Sequence, residues 1–147
     1  MTQTPTNPTS LQYGPSLSLE AARHVMQAAE REALAHGWPV VIAIVDAAAQ
    51  PLMLHRLDQA QLGSIDIAQH KAQAAAKFRR ATKVYEDMLA GGGAALRLLT
   101  FAGMCAVEGG VPLLVGGRVV GAIGVSGVRS GEDAQIAAAG ARALEGV

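Results

Sequence analysis

Residues 108–127 read EGGVPLLVGGRVVGAIGVSG: two short apolar runs, Val111–Val115 and Arg118–Val125, joined by Gly116-Gly117. Two residues able to take positive φ, set between apolar runs, specify a tight β-hairpin. Side chains alternate along a strand. The second run therefore puts Val119, Ile123 and Val125 on one face, and Val120, Ala122, Gly124 and Ser126 on the other. Gly121 thins the bulky face. Glycine weakens a strand, so its use here predicts that a helix, a ligand or another backbone comes close. The hairpin is expected at the centre of the fold, and buried.

The rest of the chain must supply the cover. Its 147 residues fit one domain that buries about two-thirds of the surface exposed when unfolded. Half the residues are apolar but only 3% are aromatic, so the core must be close-packed Ala, Val, Leu, Ile and Gly. Twelve basic residues balance twelve acidic ones. That balance leaves no electrostatic footprint for nucleic acid or an anionic membrane surface. It also gives little self-repulsion, which with a high apolar fraction predicts a homo-oligomer. Cys105 is the single cysteine, which excludes an internal disulfide. The start lacks a basic segment followed by an apolar run, and no stretch reaches transmembrane length. A cytoplasmic, soluble protein is expected.

Residues 1–16 are Thr, Pro, Gln and Ser rich and read as a flexible arm, with Leu11, Tyr13 and Leu17 able to lie along the body. A single domain follows over 17–147. Ser18 caps a helix over about Leu19–His36, with Glu20 in its first turn and Gly37 and Pro39 as its stop. Val40–Val45 is a β-branched run, covered on both faces. A turn at 46–51 returns it as Leu52–Leu57, with Met53, His55 and Leu57 on one face. Gly63 and Ser64 introduce a second, Ala-rich helix over about Ile65–Arg79. Thr82 is a candidate cap for a short helix, Lys83–Ala90, which Gly91-Gly92-Gly93 ends. Residues 94–107 fit either helix or irregular strand. Ser130 caps the last helix, with Asp133 three residues on as an approximate capping box. Hairpins separated by helices favour an antiparallel sheet over a parallel one, in an α/β (α+β) architecture.

The chemistry is less defined. Gly121, Gly124 and Gly127 are spaced GxxGxxG, which is not the dinucleotide fingerprint, and Gly91–Gly93 lacks the Lys-Ser/Thr of a phosphate loop. Glu108-Gly109-Gly110 puts a carboxylate beside amides without Cβ screening; a plain turn before a strand is the equal alternative. His24, His36, His55 and His70 show no metal-ligand spacing. His55, followed by Arg56, and His70, followed by Lys71, are the better ligand candidates. Asp58 and Asp66 could meet across the loop before the second helix. Ser64 and Ser126 have no evident His/Asp partner, so nucleophilic catalysis has no support. Arg56, Asp58, Asp66, Lys71, Arg79, Arg80 and Glu108 form a polar cluster in an apolar chain. Cations beside open glycine amides would suit a small carboxylate, or the propionates of a tetrapyrrole.

Several stretches resemble one known family. They are Ala43–Asp46 (AIVD), His55–Asp58 (HRLD), Ser64–Ala72 (SIDIAQHKA), Arg79–Glu86 (RRATKVYE), Glu108–Pro112 (EGGVP) and Gly121–Gly127 (GAIGVSG). Through them residues 17–145 resemble the GlcG/HbpS family, which includes a haem-binding domain attached to a cobalamin adenosyltransferase. The Arg-Arg-x-Thr-Lys and Glu-Gly-Gly segments look closest to the GlcG branch, associated with glycolate utilisation. The resemblance implies a profilin-like fold, an antiparallel sheet of about five strands flanked by helices. It also implies dimers that build larger homo-oligomers, tetramers or octamers.

The leading reading is a GlcG-like small-molecule-binding protein whose ligand is haem or another anionic molecule. A catabolic enzyme acting on a glycolate-like hydroxy- or oxo-acid, and a structural oligomer without ligand, are the alternatives. The ligand-binding expectation comprises His55, Arg56, Asp58, Asp66, His70, Lys71, Arg80, Glu108, Gly109 and Gly110, with no bare metal ion. Arg80 and Lys71 would hold an anion and Glu108 would orient a cation. The alternative is that Arg80 and Glu108 only tie the second helix to the hairpin.

Overall fold

Ser18 starts the first helix as its composition requires: its Oγ accepts the Ala21 N–H at 3.1 Å, capping α1 (Leu19–His36). Gly37 ends α1 in the left-handed conformation, φ 67°, which costs glycine no Cβ clash. The computed structural model describes residues 11–145. After α1 come β1 (Val41–Asp46), β2 (Pro51–Arg56), α2 (Ser64–Phe78) and α3 (Thr82–Ala90). A 3-10 helix, Gly93–Thr100, precedes β3 (Gly110–Val115), β4 (Arg118–Ser126) and α4 (Ser130–Arg142).

Both hairpins form. Asp46 Oδ1 accepts the N–H groups of Ala48 at 2.9 Å and Gln50 at 3.0 Å, which shapes the β1–β2 turn. Gly116 and Gly117 take φ 58° and 75°, as a two-residue hairpin turn demands. The sheet order is β2-β1-β4-β3, antiparallel throughout. β4 is thus interior and β3 an edge.

Among the described residues the sheet has four strands rather than about five. Along the first residues of β4, beyond the end of β1, the backbone partner is the start of the chain. Val119 N–H donates to Gln12 O, and Gly14 and Leu17 N–H donate to Val119 and Val120 O. Tyr13 Oη donates to Ala76 O at 2.7 Å, so residues 11–17 lie on the body; the part of the expected arm over 1–10 falls outside the described residues.

Layering follows from alternation. Ile42 and Ile44 face a core with Val25, Met26 and Ala29 of α1 and Ile136 and Ala137 of α4. Val41, Ala43 and Val45 face the opposite side, against Ala68, Ala72, Ala75 and Ala76 of α2. The sheet is therefore sandwiched between α1/α4 and α2. The small-residue face of β4 is the α2 side: a Cβ on Gly124 would strike the Ala68 carbonyl and lie 2.5 Å from Ala72 N. Strict alternation fails at one place. Leu113 pairs with Gly121 but Leu114 with Val119, leaving Val120 as a bulge. Val120 therefore joins Ile123 and Val125 in the α1/α4 core.

Two caps differ from expectation. Thr82 is inside α3, and its Oγ1 instead accepts the Gly110 N–H at 2.9 Å, tying α3 to β3. At α4 it is Glu132 that reaches back to the Arg129 N–H, at 3.3 Å, while Asp133 is turned inward. Among the described residues no helix is long and apolar enough to cross a membrane.

Candidate functional site

The expected ligand residues divide between the two sides of the sheet. His55 sits on β2 directly opposite Ile42, hence on the α1 side. Arg56 and Asp58 lie nearby, lining a groove of about 350 Å³ beside Trp38, whose ring stacks on His36. Asp66 and His70 are exposed on α2, the latter beside a cleft of about 130 Å³ formed with Gln73, Gly103 and Met104. Arg80 lies past the other end of α2, its guanidinium carbon 5.6 Å from the centre of the Tyr85 ring. A helix of 15 residues is about 22 Å long, so the loop before α2 and Arg80 do not converge.

Lys71, Glu108, Gly109 and Gly110 do come together, but as a closed seam. Lys71 is 1% exposed; its Nζ donates to Val125 O at 2.9 Å and to Asp133 Oδ2 at 3.1 Å. Asp133 Oδ1 accepts the Val128 N–H at 3.1 Å. Burial pushes the Asp133 carboxyl above its ordinary value, against the opposing pull of Lys71 and that N–H. Gly109 and Gly110 are buried, and the expectation of open amides fails. The Gly110 N–H belongs to Thr82, and a Cβ on Gly109 would lie 2.8 Å from Lys71 Nζ. These glycines admit the lysine and the backbone of α2, not a ligand. Glu108 donates its N–H to Glu86 Oε1 at 3.4 Å, and its carboxylate lies beside Gly131 in the first turn of α4, where negative charge is favoured. Burial also pushes the Cys105 thiol up, against the pull of Lys71, so it is not an activated thiolate.

A larger concavity lies elsewhere. An open groove of about 550 Å³ runs between α1 and β2, lined by Arg23, His24, Met26 and Glu30 of α1 and by Met53 and His55 of β2. Arg23 and His24 are exposed and Glu30 is half-buried. Met26 is part of the core beneath them. His55 Nδ1 is hydrogen-bonded to Glu30 Oε1, joining strand to helix. His24 also lines an adjoining groove of about 430 Å³ between the start of α1 and Ala143-Leu144. Sequence reading selected His55 but passed over His24, Arg23 and Glu30. Their role depends on which strand neighbours α1, which helix periodicity does not reveal. Among the described residues no group of three or more His, Cys, Asp or Glu is placed to hold a metal ion.

The family model described as "Haem degrading protein HbpS-like" matches residues 17–142. The chain belongs to this HbpS-like family. It is 40% identical over 110 residues to Protein GlcG of Escherichia coli strain K12, covering 75% of this chain and 81% of that one. Among solved structures it resembles the PduOC:Heme complex, with TM-score 0.80 and 28% identity over 88% of this chain and 96% of the other. It also resembles a double mutant of HbpS from Streptomyces reticuli, with TM-score 0.82 and 32% identity over 98% and 97%.

Proposed function

We propose that this HbpS-like chain binds haem in the groove between α1 and β2. The observation that carries the reading is the donor set of that groove: two imidazoles, His24 and His55, beside the half-buried thioether of Met53. Three protein ligands are needed to hold a bare metal ion, but a tetrapyrrole brings its own four and asks for only one or two axial nitrogen or sulfur donors. Arg23 offers a guanidinium fork to a propionate. The groove volume, about 550 Å³, lies within the usual range of small-molecule sites. The relative solved with haem supports the same ligand class. Bound haem would supply a redox-active iron. The chain's own part is to present an imidazole, to cover one face with apolar surface and to fix orientation through Arg23.

In this proposal the protein is cytoplasmic and accessory to small-acid catabolism, as the resemblance of its Arg-Arg-x-Thr-Lys and Glu-Gly-Gly segments to the GlcG branch implies. It works as a homo-oligomer. Val84, Met88, Leu96, Leu99 and Phe101 leave an apolar surface on α3 and the 3-10 helix, with Leu99 73% exposed.

Haemin titrated into purified protein should give a shifted, saturable Soret band at one haem per chain. Persistence of the free haemin spectrum at micromolar protein would overturn the proposal. Loss of the band after adding reductant and oxygen would mark turnover in addition to binding, while a stable band would mark binding alone.

A further inference from the structure

Resting on that reading of the groove, we propose that the iron ligand is Nε2 of His55, and that Glu30 is the positioning residue that prepares it. Two elements fix the pair. His55 is held on β2 by its register opposite the fully buried Ile42. Glu30 is held on α1, whose neighbouring turns are anchored in the core through Met26, Ala29 and Ala33. The contact between them engages Nδ1 of the ring. A neutral imidazole carries one proton. With Nδ1–H donating to the Glu30 carboxylate, the lone pair must sit on Nε2. Among the described residues Nε2 makes no hydrogen bond, and the ring lines the groove. A carboxylate behind a ligating histidine fixes the tautomer, orients the ring and raises its basicity.

The other histidines lack this arrangement in the groove. His36 also has an engaged Nδ1, through the Glu32 carbonyl at 3.0 Å, but it is stacked on Trp38 outside the groove. His70 lies on the α2 side of the sheet. His24 lines the groove, yet among the described residues nothing fixes its ring. Glu30 and His55 together thus distinguish one imidazole from three.

The test has two independent readouts. Side-chain nitrogen NMR of the apo protein should show His55 as the Nδ1–H tautomer, and Glu30→Gln should mix the tautomers. In the haemin titration, His55→Ala should abolish the shifted Soret band, and imidazole added to His55→Gly should restore it. Glu30→Gln keeps an acceptor but loses the charge. Haem affinity should fall about 10- to 100-fold, with a weaker iron–histidine stretch in resonance Raman and a higher midpoint potential. A merely structural Glu30 would leave the last two unmoved. An Nε2–H tautomer in the apo protein overturns the inference. So does a Soret band that survives His55→Ala and disappears in His24→Ala. No band with the wild-type protein would instead overturn the haem reading, and this inference with it.

Discussion

Lys71 Nζ lies 3.1 Å from Asp133 Oδ2, and both side chains are almost wholly buried. The pair connects α2 on one side of the sheet to α4 on the other, past the Val125 carbonyl at the end of β4. Charges out of water gain little net stability from each other, but removing one partner strands the other. Here burial already raises the Asp133 carboxyl above its unfolded value, so the folded state holds that proton more tightly. This group's share of stability is full below the ordinary carboxylate range. It declines as pH rises through the raised value.

Lys71→Met removes the cation paired with Asp133 and leaves only the Val128 N–H to oppose burial. The variant should lose about 3–5 kcal/mol in urea unfolding at pH 7. The loss should shrink toward acid pH, where a protonated Asp133 needs no cation. Lys71→Met with Asp133→Asn should recover part of it. A loss that does not change with pH would show that the carboxylate is not the stranded group.

Gly124 and Gly63 should respond oppositely to a side chain. Gly124→Val drives atoms into the backbone of α2 at Ala68 and Ala72, and overpacking of this kind costs about 1–3 kcal/mol or more. Gly63 has φ −61°, and a Cβ there meets nothing within 4 Å. Gly63→Ala should be neutral or stabilise by up to about 1 kcal/mol. Thermal melts that rank the two the other way would contradict the packing of α2 on β4.

Tyr13→Phe deletes the hydroxyl that donates to Ala76 O, and should cost about 0.5–1.5 kcal/mol. Arg79, which donates to Leu11 O at 2.6 Å and lies 5.3 Å over the Tyr13 ring, still restrains the segment. Limited proteolysis around residues 11–17 should therefore accelerate in the variant without global unfolding. Equal cleavage of both proteins would mean that the hydroxyl does not hold the segment.

Assembly is expected through the apolar surface of α3 and the 3-10 helix. Light scattering should give a multiple of the single-chain mass, consistent with about 800 Å² or more buried per partner. Leu96→Glu with Leu99→Glu should lower that mass while the fold persists. A wild-type monomer at micromolar concentration would contradict the expectation.

Local signals in the sequence were legible because each rests on nearby residues. Ser18 and Gly37 bracket α1, and Gly116-Gly117 turns the hairpin, without help from the rest of the chain. What failed depended on distant partners. Thr82 looks like a cap until Gly110 claims its hydroxyl, and the Val120 bulge answers to the register of β3. Lys71 is expected to hold an anionic ligand, and the structure buries it against Asp133 instead. Yet it stands three residues after Ala68 and four before Ala75, on the buried stripe of α2, so the signal was present. The α1–β2 groove was invisible because its walls are separated by a strand and a turn, and nothing in either segment names the other.

Electron density from crystals grown with haemin tests the central claim most directly. The account predicts planar density in the groove between α1 and β2, with iron at His55 Nε2, Glu30 behind the ring and Arg23 near a propionate. Haem ordered against another surface, such as the cleft beside His70, would contradict it.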